Sequence, residues 1–445
     1  MLRPWKAVPL ALALLAAACT SGGGGTTGGQ ASGGTNGTGT APMHLVMWMG
    51  YTPPPPKNTS QEYLSLQDMV KAYEKQHPNI TIDVRYVNND YALQKVTVAL
   101  QGDKQPDISY QYGTSMPQLA SAPKLVDLTS RVKSPGYNFN DFFPGERAVT
   151  TIDGKVLGVP ALVDNLAVVY NKDLFSKAGL KTPSPNWTWN ELVSDAKAIS
   201  DPANKVFGLA YPSDGSEATV WVYEAMLWEA GGDILNADNT KAAFNSPAGV
   251  EALTTLRQME QDGSLYLDFN PDAGKTEDLF NSNRIGMLIT APWDLPSFPN
   301  AHYGVQFMPS FQPGGNHDTI AGPDNWVIFD NGQDHVNAAW DFLRYMTSPD
   351  QVAQNSMKTG DLPTRLSVVK RPGFVQNFGT TWPGEGTFTE NLKNLVKARP
   401  QIPQYPRVSA ALGQAIVSGI QGKGSPRDLL NQAAQQADGF LAVPA

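Results

Sequence analysis

The sequence predicts an α/β protein of two lobes, each a wound β-sheet flanked by helices, with a ligand cleft at the hinge between them. Three observations carry this. The stretch from Leu45 to Gly113 reads strand, helix, strand, helix, strand, the order of a wound sheet whose ligands sit at the carboxyl ends of its strands. The run Val156–Tyr170 is apolar and β-branched but is broken by Pro160, which cannot donate to a central ladder. The chain therefore leaves one sheet near Pro160 and enters another after Asp164. The body from Met43 to Ala445 is long enough for two ordinary domains, in a chain whose 41% hydrophobic content supplies a core for each.

Arg3 and Lys6 precede an apolar run, Ala7–Ala18, that is too short to span a membrane and has the build of a secretory signal peptide over residues 1–18. Ala16-Ala17-Ala18-Cys19 follows, with the only cysteine in 445 residues. These residues resemble a lipobox, with Ala16 in place of the usual leucine, which implies that Cys19 is lipidated and becomes the mature first residue. From Thr20 to Thr40 only Thr, Ser, Gly, Gln, Ala and Asn occur, so residues 19–42 read as an anchored, flexible tether with a reach of about 25 Å. The expected location is the cell membrane, extracytoplasmic and lipid-anchored, and periplasmic where an outer membrane exists. A single cysteine leaves no disulfide, so stability must come from core burial. Loss of Arg3 and Lys6 with the signal segment takes the formal charge from −8 to −10. No Lys/Arg cluster follows, which argues against nucleic acid or an acidic membrane surface as partner.

Leu45–Met49 is the first strand, ending in Trp48-Met49-Gly50-Tyr51 before the extended proline run Pro53–Pro56. Ser60 caps a helix with Tyr63, Leu66, Val70 and Tyr73 on one face, stopped at His77-Pro78. Ile80, Ile82, Val84 and Tyr86 alternate as a strand, a helix runs to Leu100, and Pro106-Asp107-Ile108 opens a short strand into Tyr110-Gln111-Tyr112. Tyr51 and Tyr112 thus lie at strand carboxyl ends. After the crossing, Asn171 caps a short helix closed by Gly179, and Thr188-Trp189-Asn190-Glu191 is a capping box with Trp187 and Leu192 as its staple. Glu217–Ala230 carries Trp221, Ala225 and Trp228 at helical spacing before Gly231-Gly232. Ile234–Phe244 reads as a hairpin around Asp238-Asn239, and Ser246-Pro247 starts a helix to Gln261. Ile285–Ile289 is a buried strand stopping at Ala291-Pro292-Trp293. Val305–Pro309 is expected to cross back to the first lobe, where Ile320–Phe329 adds a strand and Asp334–Met346 a helix with Val336, Trp340 and Leu343 inward. The expected lobes are 43–162 with 307–346, and 163–306 with 347–445.

Gly158-Val159-Pro160, the acidic Asp164, and then Val168–Leu180 (VVYNKDLFSKAGL) resemble the signature of the carbohydrate-type extracellular solute-binding proteins of bacterial ABC importers, the maltose-binding-protein-like family. Spaced motifs extend the resemblance over most of Met43–Ala437: Trp48, Pro106-Asp107-Ile108, the aromatic helix with Gly231-Gly232, Pro292-Trp293, Trp340, Asp361-Leu362-Pro363 and Ile402-Pro403-Gln404. The late aromatic of some relatives falls here near Ser409, with Tyr405 the only ring nearby. The resemblance implies a periplasmic-binding-protein-like fold of type II, in which Asp164 hydrogen-bonds sugar hydroxyls. It also implies a monomer that captures a sugar or oligosaccharide for ABC permease subunits, without cofactor or catalysis.

Sugars present flat C–H faces and rows of hydroxyls, so their sites need aromatic plates with carboxylates or amides. Trp293, after a strand and a proline, is expected as a stacking plate opposite Asp164, with inter-lobe packing as its other reading. Trp221 divides evenly between plate and core; Trp228 and Trp340 read as core. Asn325, in the Gly322–Trp326 loop, and Asp361 read as further ligand groups or as capping turns. Histidines 44, 77, 302, 317 and 335 show no metal-ligand spacing, and no nucleophile elbow or phosphate loop occurs. A secreted glycosidase, which needs only two carboxylates, and a capture protein for glycerol phosphate esters are the alternatives.

Overall fold

The computed structural model of the protein describes residues 41–51, 60–271, 274–395 and 398–443. The signal-like segment, Cys19, the tether as far as Thr40 and Pro53–Pro56 lie outside the described residues. In chain order the strands of the two large sheets are β1 (Met43–Met49), β2 (Ile80–Tyr86), β3 (Ile108–Tyr112), β4 (Val159–Leu162) and β5 (Ala167–Asn171). They continue with β6 (Phe207–Pro212), β7 (Leu265–Asp268), β8 (Ile285–Thr290), β9 (Tyr303–Gln306) and β10 (Asp324–Ile328). The first sheet has the order β2-β1-β3-β10-β4 and the second β9-β5-β8-β6-β7.

In the first sheet β1 runs parallel to β2 and β3, because the helices Gln61–Gln76 and Ala92–Gln101 return the chain across the sheet each time. Ser60 Oγ accepts the Tyr63 N–H at 3.1 Å and starts the first of these helices, as its sequence predicts. Asn171 and the Thr188–Glu191 box cap the helices Lys172–Lys177 and Trp189–Ile199 in the expected way.

Pro160 sits inside β4, which pairs only with β10 and is therefore an edge strand. The ladder slips between Asp324 and Asn325, and the missing proline N–H costs nothing on such an edge. The chain then passes through Asp164–Leu166 and enters the second sheet at Ala167. The return path differs from its sequence reading. Val305–Pro309 does not leave the second sheet: β9 pairs with β5, the Ser310 N–H donates to Trp187 O at 3.1 Å, and the Thr319 N–H donates to Asn394 O at 3.0 Å. The change of sheet falls between Thr319 and Asp324 instead, where Gly322-Pro323 also trims the expected strand Ile320–Phe329 to β10. A four-residue strand carries nothing local that says which sheet it will pair with.

Each sheet has its own apolar cluster, with Leu45, Ile108, Trp326 and Trp340 in one and Val168, Trp187, Trp189, Trp228 and Leu412 in the other. Leu235 and Ala242 bridge around Asn239, which takes the positive φ of 58° that the turn requires. Arg365 is buried and ties a late loop to the first sheet's flank. Its Nε donates to Thr347 O at 2.5 Å, its Nη1 to Asn138 O at 3.2 Å and Tyr137 O at 3.3 Å, and its guanidinium lies 4.0 Å from the Phe142 ring centre.

Candidate functional site

The carboxyl ends of the strands and the chain crossing enclose a cavity of about 790 Å³. From the first sheet come Tyr51, which follows β1, Tyr110 and Tyr112 of β3, and Asp324 at the start of β10. From the second come Glu217 and Trp221 on the helix Glu217–Glu229, and Trp293 and Asp294 on the 3₁₀ turn Pro292–Ser297 that follows β8. Asp164 of the crossing, Asp361 and Arg399 complete the named wall.

Trp293 and Trp221 stack on one another, with ring centres 5.5 Å apart and planes 20° from parallel, and both are half-buried. The Trp221 Nε1–H has no protein acceptor. The pair is an apolar plate with an unused donor at its edge. Tyr51 meets Tyr110 edge to face at 5.7 Å.

Asp164 is only 2% exposed, and its Oδ1 accepts the Gly322 N–H at 2.6 Å. A Cβ at position 322 would stand 3.0 Å from both Asp164 oxygens, so glycine is what lets this loop close on the carboxylate. Burial pushes Asp164 well above the usual carboxylate range, and the neighbouring Asp324 adds to it. Asp324 accepts the Tyr110 hydroxyl at 2.6 Å, and burial raises it to about 7. Asp361 is 3% exposed, is raised by burial to about 6, and keeps an Oδ1 without a partner. Arg399 donates to Glu217 at 2.6 Å, and Glu217 also accepts the hydroxyls of Tyr405, at 3.0 Å, and Ser409. Tyr405 is thus fully buried beneath Glu217 and is no plate.

The structure brings Trp293, Trp221, Asp164, Tyr51, Tyr112 and Asp361 to one cavity. It does not bring Asn325 there. Asn325 is a strand residue of β10 rather than a loop residue, and its Cβ lies 3.4 Å from the position a Gly158 Cβ would take, near Met116. Its register partner is Gln111, whereas Asp324 and Trp326 pair with Tyr112 and Tyr110. Alternation along the strand turns Asn325 to the far face and its neighbour Asp324 to the cavity. Sequence reasoning missed Asp324, Glu62, Glu217, Glu277, Asp294 and Arg399, all of which line the cavity. Two had a readable signal: Glu217 precedes Trp221 by one helical turn, and Asp294 directly follows Trp293.

Burial, with like charge as the second cause, also holds Glu62 at about 8 through Asp361 and Glu277 at about 8 through Asp294. Because these folded values lie above the ordinary carboxylate value, the protonated forms favour the fold. That contribution is complete below about pH 4 and is lost as pH rises through about 6 to 8. The melting temperature of the unliganded protein is expected to fall from about pH 5 to about pH 8.5 by scanning calorimetry. A flat or rising profile across that window would contradict the buried acidic cleft. Asp127, Asp201 and Asp238, held below the ordinary value by hydrogen bonds, act only at lower pH.

Comparison with known proteins places this cleft in context. A binding protein of Brucella abortus (strain 2308) is 31% identical over 388 residues, covering 84% of this chain and 89% of the relative. The sn-glycerol-3-phosphate-binding periplasmic protein of Yersinia enterocolitica is 23% identical over 407 residues, covering 85% and 89%. The crystal structure of the cyclic alpha-maltosyl-1,6-maltose binding protein of Arthrobacter globiformis is 29% identical and superposes with a TM-score of 0.72, covering 90% of this chain and 99% of that one. The profile of the bacterial extracellular solute-binding proteins matches residues 57–353. With its two wound sheets and the cleft between them, this chain belongs to the bacterial extracellular solute-binding protein family.

Proposed function

We propose that the protein is a lipid-anchored, extracytoplasmic solute-binding protein that closes its two lobes on a sugar or oligosaccharide and delivers it unaltered to an ABC permease. The observation that carries this reading is the stacked Trp221–Trp293 plate in the same cavity as the carboxylates of Asp164, Asp324 and Asp361. Rings take the C–H face of a sugar and carboxylates accept its vicinal hydroxyls. Closure follows because only the closed state lets both walls contact the ligand. The glycerol phosphate reading has a relative in its favour but a cleft against it, since Arg399, the one basic residue among the named lining, is committed to Glu217. Every other charged side chain of that lining is a carboxylate, which disfavours a phosphate. The relatives named above are binding proteins, which supports capture over hydrolysis.

A thermal-shift and calorimetric panel of mono- and oligosaccharides tests this. A true ligand at about 100 times its dissociation constant should add roughly 2.7 kcal/mol of stability and be recovered chemically unchanged. Hydrolysis of the sugar, or binding of glycerol phosphate esters alone, would overturn the proposal. For the anchor, Cys19→Ser is expected to move the protein from the membrane fraction to the soluble fraction. Membrane retention of the variant, together with an unlipidated wild type by mass, would remove that part of the reading.

A further inference from the structure

The charged side chains of the cleft are acidic apart from Arg399. Where Asp164 and Asp324 lie, Arg399 is present and paired. Glu62, Glu277, Asp294 and Asp361 line the same cavity, close enough for Asp361 and Asp294 to raise Glu62 and for Asp294 to raise Glu277. Among the described residues none of these four makes an ion pair, and no Lys or His lines the cavity. Asp294 has one oxygen answered, by the Thr290 hydroxyl. Asp361 supplies an independent mark of a ligand: it is 97% buried, it lines the cavity, and its Oδ1 has no donor. A buried acceptor of that kind requires one.

We propose that the sugar bound here carries a protonated amine, so that the ligand is an amino sugar or a comparable polyhydroxylated amine whose ammonium sits among Glu62, Asp294 and Asp361. This rests on the sugar reading and narrows it. A neutral hydroxyl can donate to one carboxylate oxygen but brings no charge to a buried cluster in which like carboxylates oppose one another's ionisation. An ammonium offers three N–H donors and a positive charge together. The Trp221–Trp293 plate suits the same ligand, because a cation held near an indole face is attracted by the ring quadrupole.

Isothermal titration of the full chain with matched pairs tests the proposal: glucosamine against glucose, galactosamine against galactose, mannosamine against mannose, and fully deacetylated chitobiose against cellobiose. In at least one pair the amine is expected to bind about tenfold or more tightly than its hydroxyl twin, with the preference shrinking as salt is raised. Asp361→Asn is expected to reduce that preference about tenfold, a ratio in which the neutral twin controls for any general change in the fold. If the hydroxyl twin binds as well as or better than the amine in every pair that binds, the amine inference fails while the sugar reading stands. Should no member of any pair bind, both readings fail. An amine preference that survives both Asp361→Asn and Glu62→Gln would overturn the assignment of these carboxylates.

Discussion

Trp293→Ala is expected to weaken binding of the cognate sugar by about 2–4 kcal/mol, the range for a central aromatic anchor, while lowering the melting temperature far less than truncation of a core tryptophan. The difference follows from position. Trp293 stands on a 3₁₀ turn after β8, half-buried, with its ring stacked on Trp221 at the cavity wall. Trp187 is 1% exposed, inside the apolar cluster of the second sheet, and its Nε1–H donates to Phe307 O at 2.8 Å. Trp187→Ala should therefore cost about 3–5 kcal/mol of stability and serves as the internal standard. Calorimetric affinity and melting temperature measured on both variants separate plate from core. If Trp293→Ala melts as low as Trp187→Ala while its folded fraction keeps wild-type affinity, the plate has been misassigned.

Arg365→Met is expected to lower stability by about 3–5 kcal/mol without reaching the cleft. The substitution keeps much of the stem but removes every donor of the guanidinium. The carbonyls of Thr347, Tyr137 and Asn138 and the carboxylate of Asp141 then lose a buried partner. Asp141 is partly relieved because Ser367 donates to it through its N–H at 2.8 Å and its hydroxyl at 2.6 Å, so the carbonyls carry most of the loss. Arg365→Lys restores the charge but not the planar fork, and an intermediate melting temperature is expected. A variant melting within about 1 kcal/mol of wild type would show that the carbonyls find other donors.

Much of this architecture was legible before any tertiary contact was known. Ser60, Asn171 and the Thr188–Glu191 box announced their helices because a cap is a hydrogen bond to a backbone group two or three residues away. Pro160 announced the first change of sheet because a missing N–H is a property of one residue, wherever its strand pairs. Trp293 and Asp164 were legible as candidates for the cavity wall, which both line, because a ring after a strand and a carboxylate in an apolar crossing each need an explanation that the local chain does not provide.

What only the tertiary structure decided was pairing and facing. Whether β9 joins the second sheet, and so where the chain returns, depends on its partner β5, more than a hundred residues away in sequence. Asp324 lines the cleft and Asn325 does not because successive side chains in a strand point to opposite faces, so an uncertainty of one residue in where β10 starts exchanges one side chain for the other. Arg399 and Glu217 were unremarkable as two separate charges. Their meaning as a neutralised pair in a cleft that also holds Glu62 and Asp361, which make no ion pair among the described residues, exists only once the fold sets them in the same wall, because electrostatic interaction depends on distance and burial rather than on sequence order.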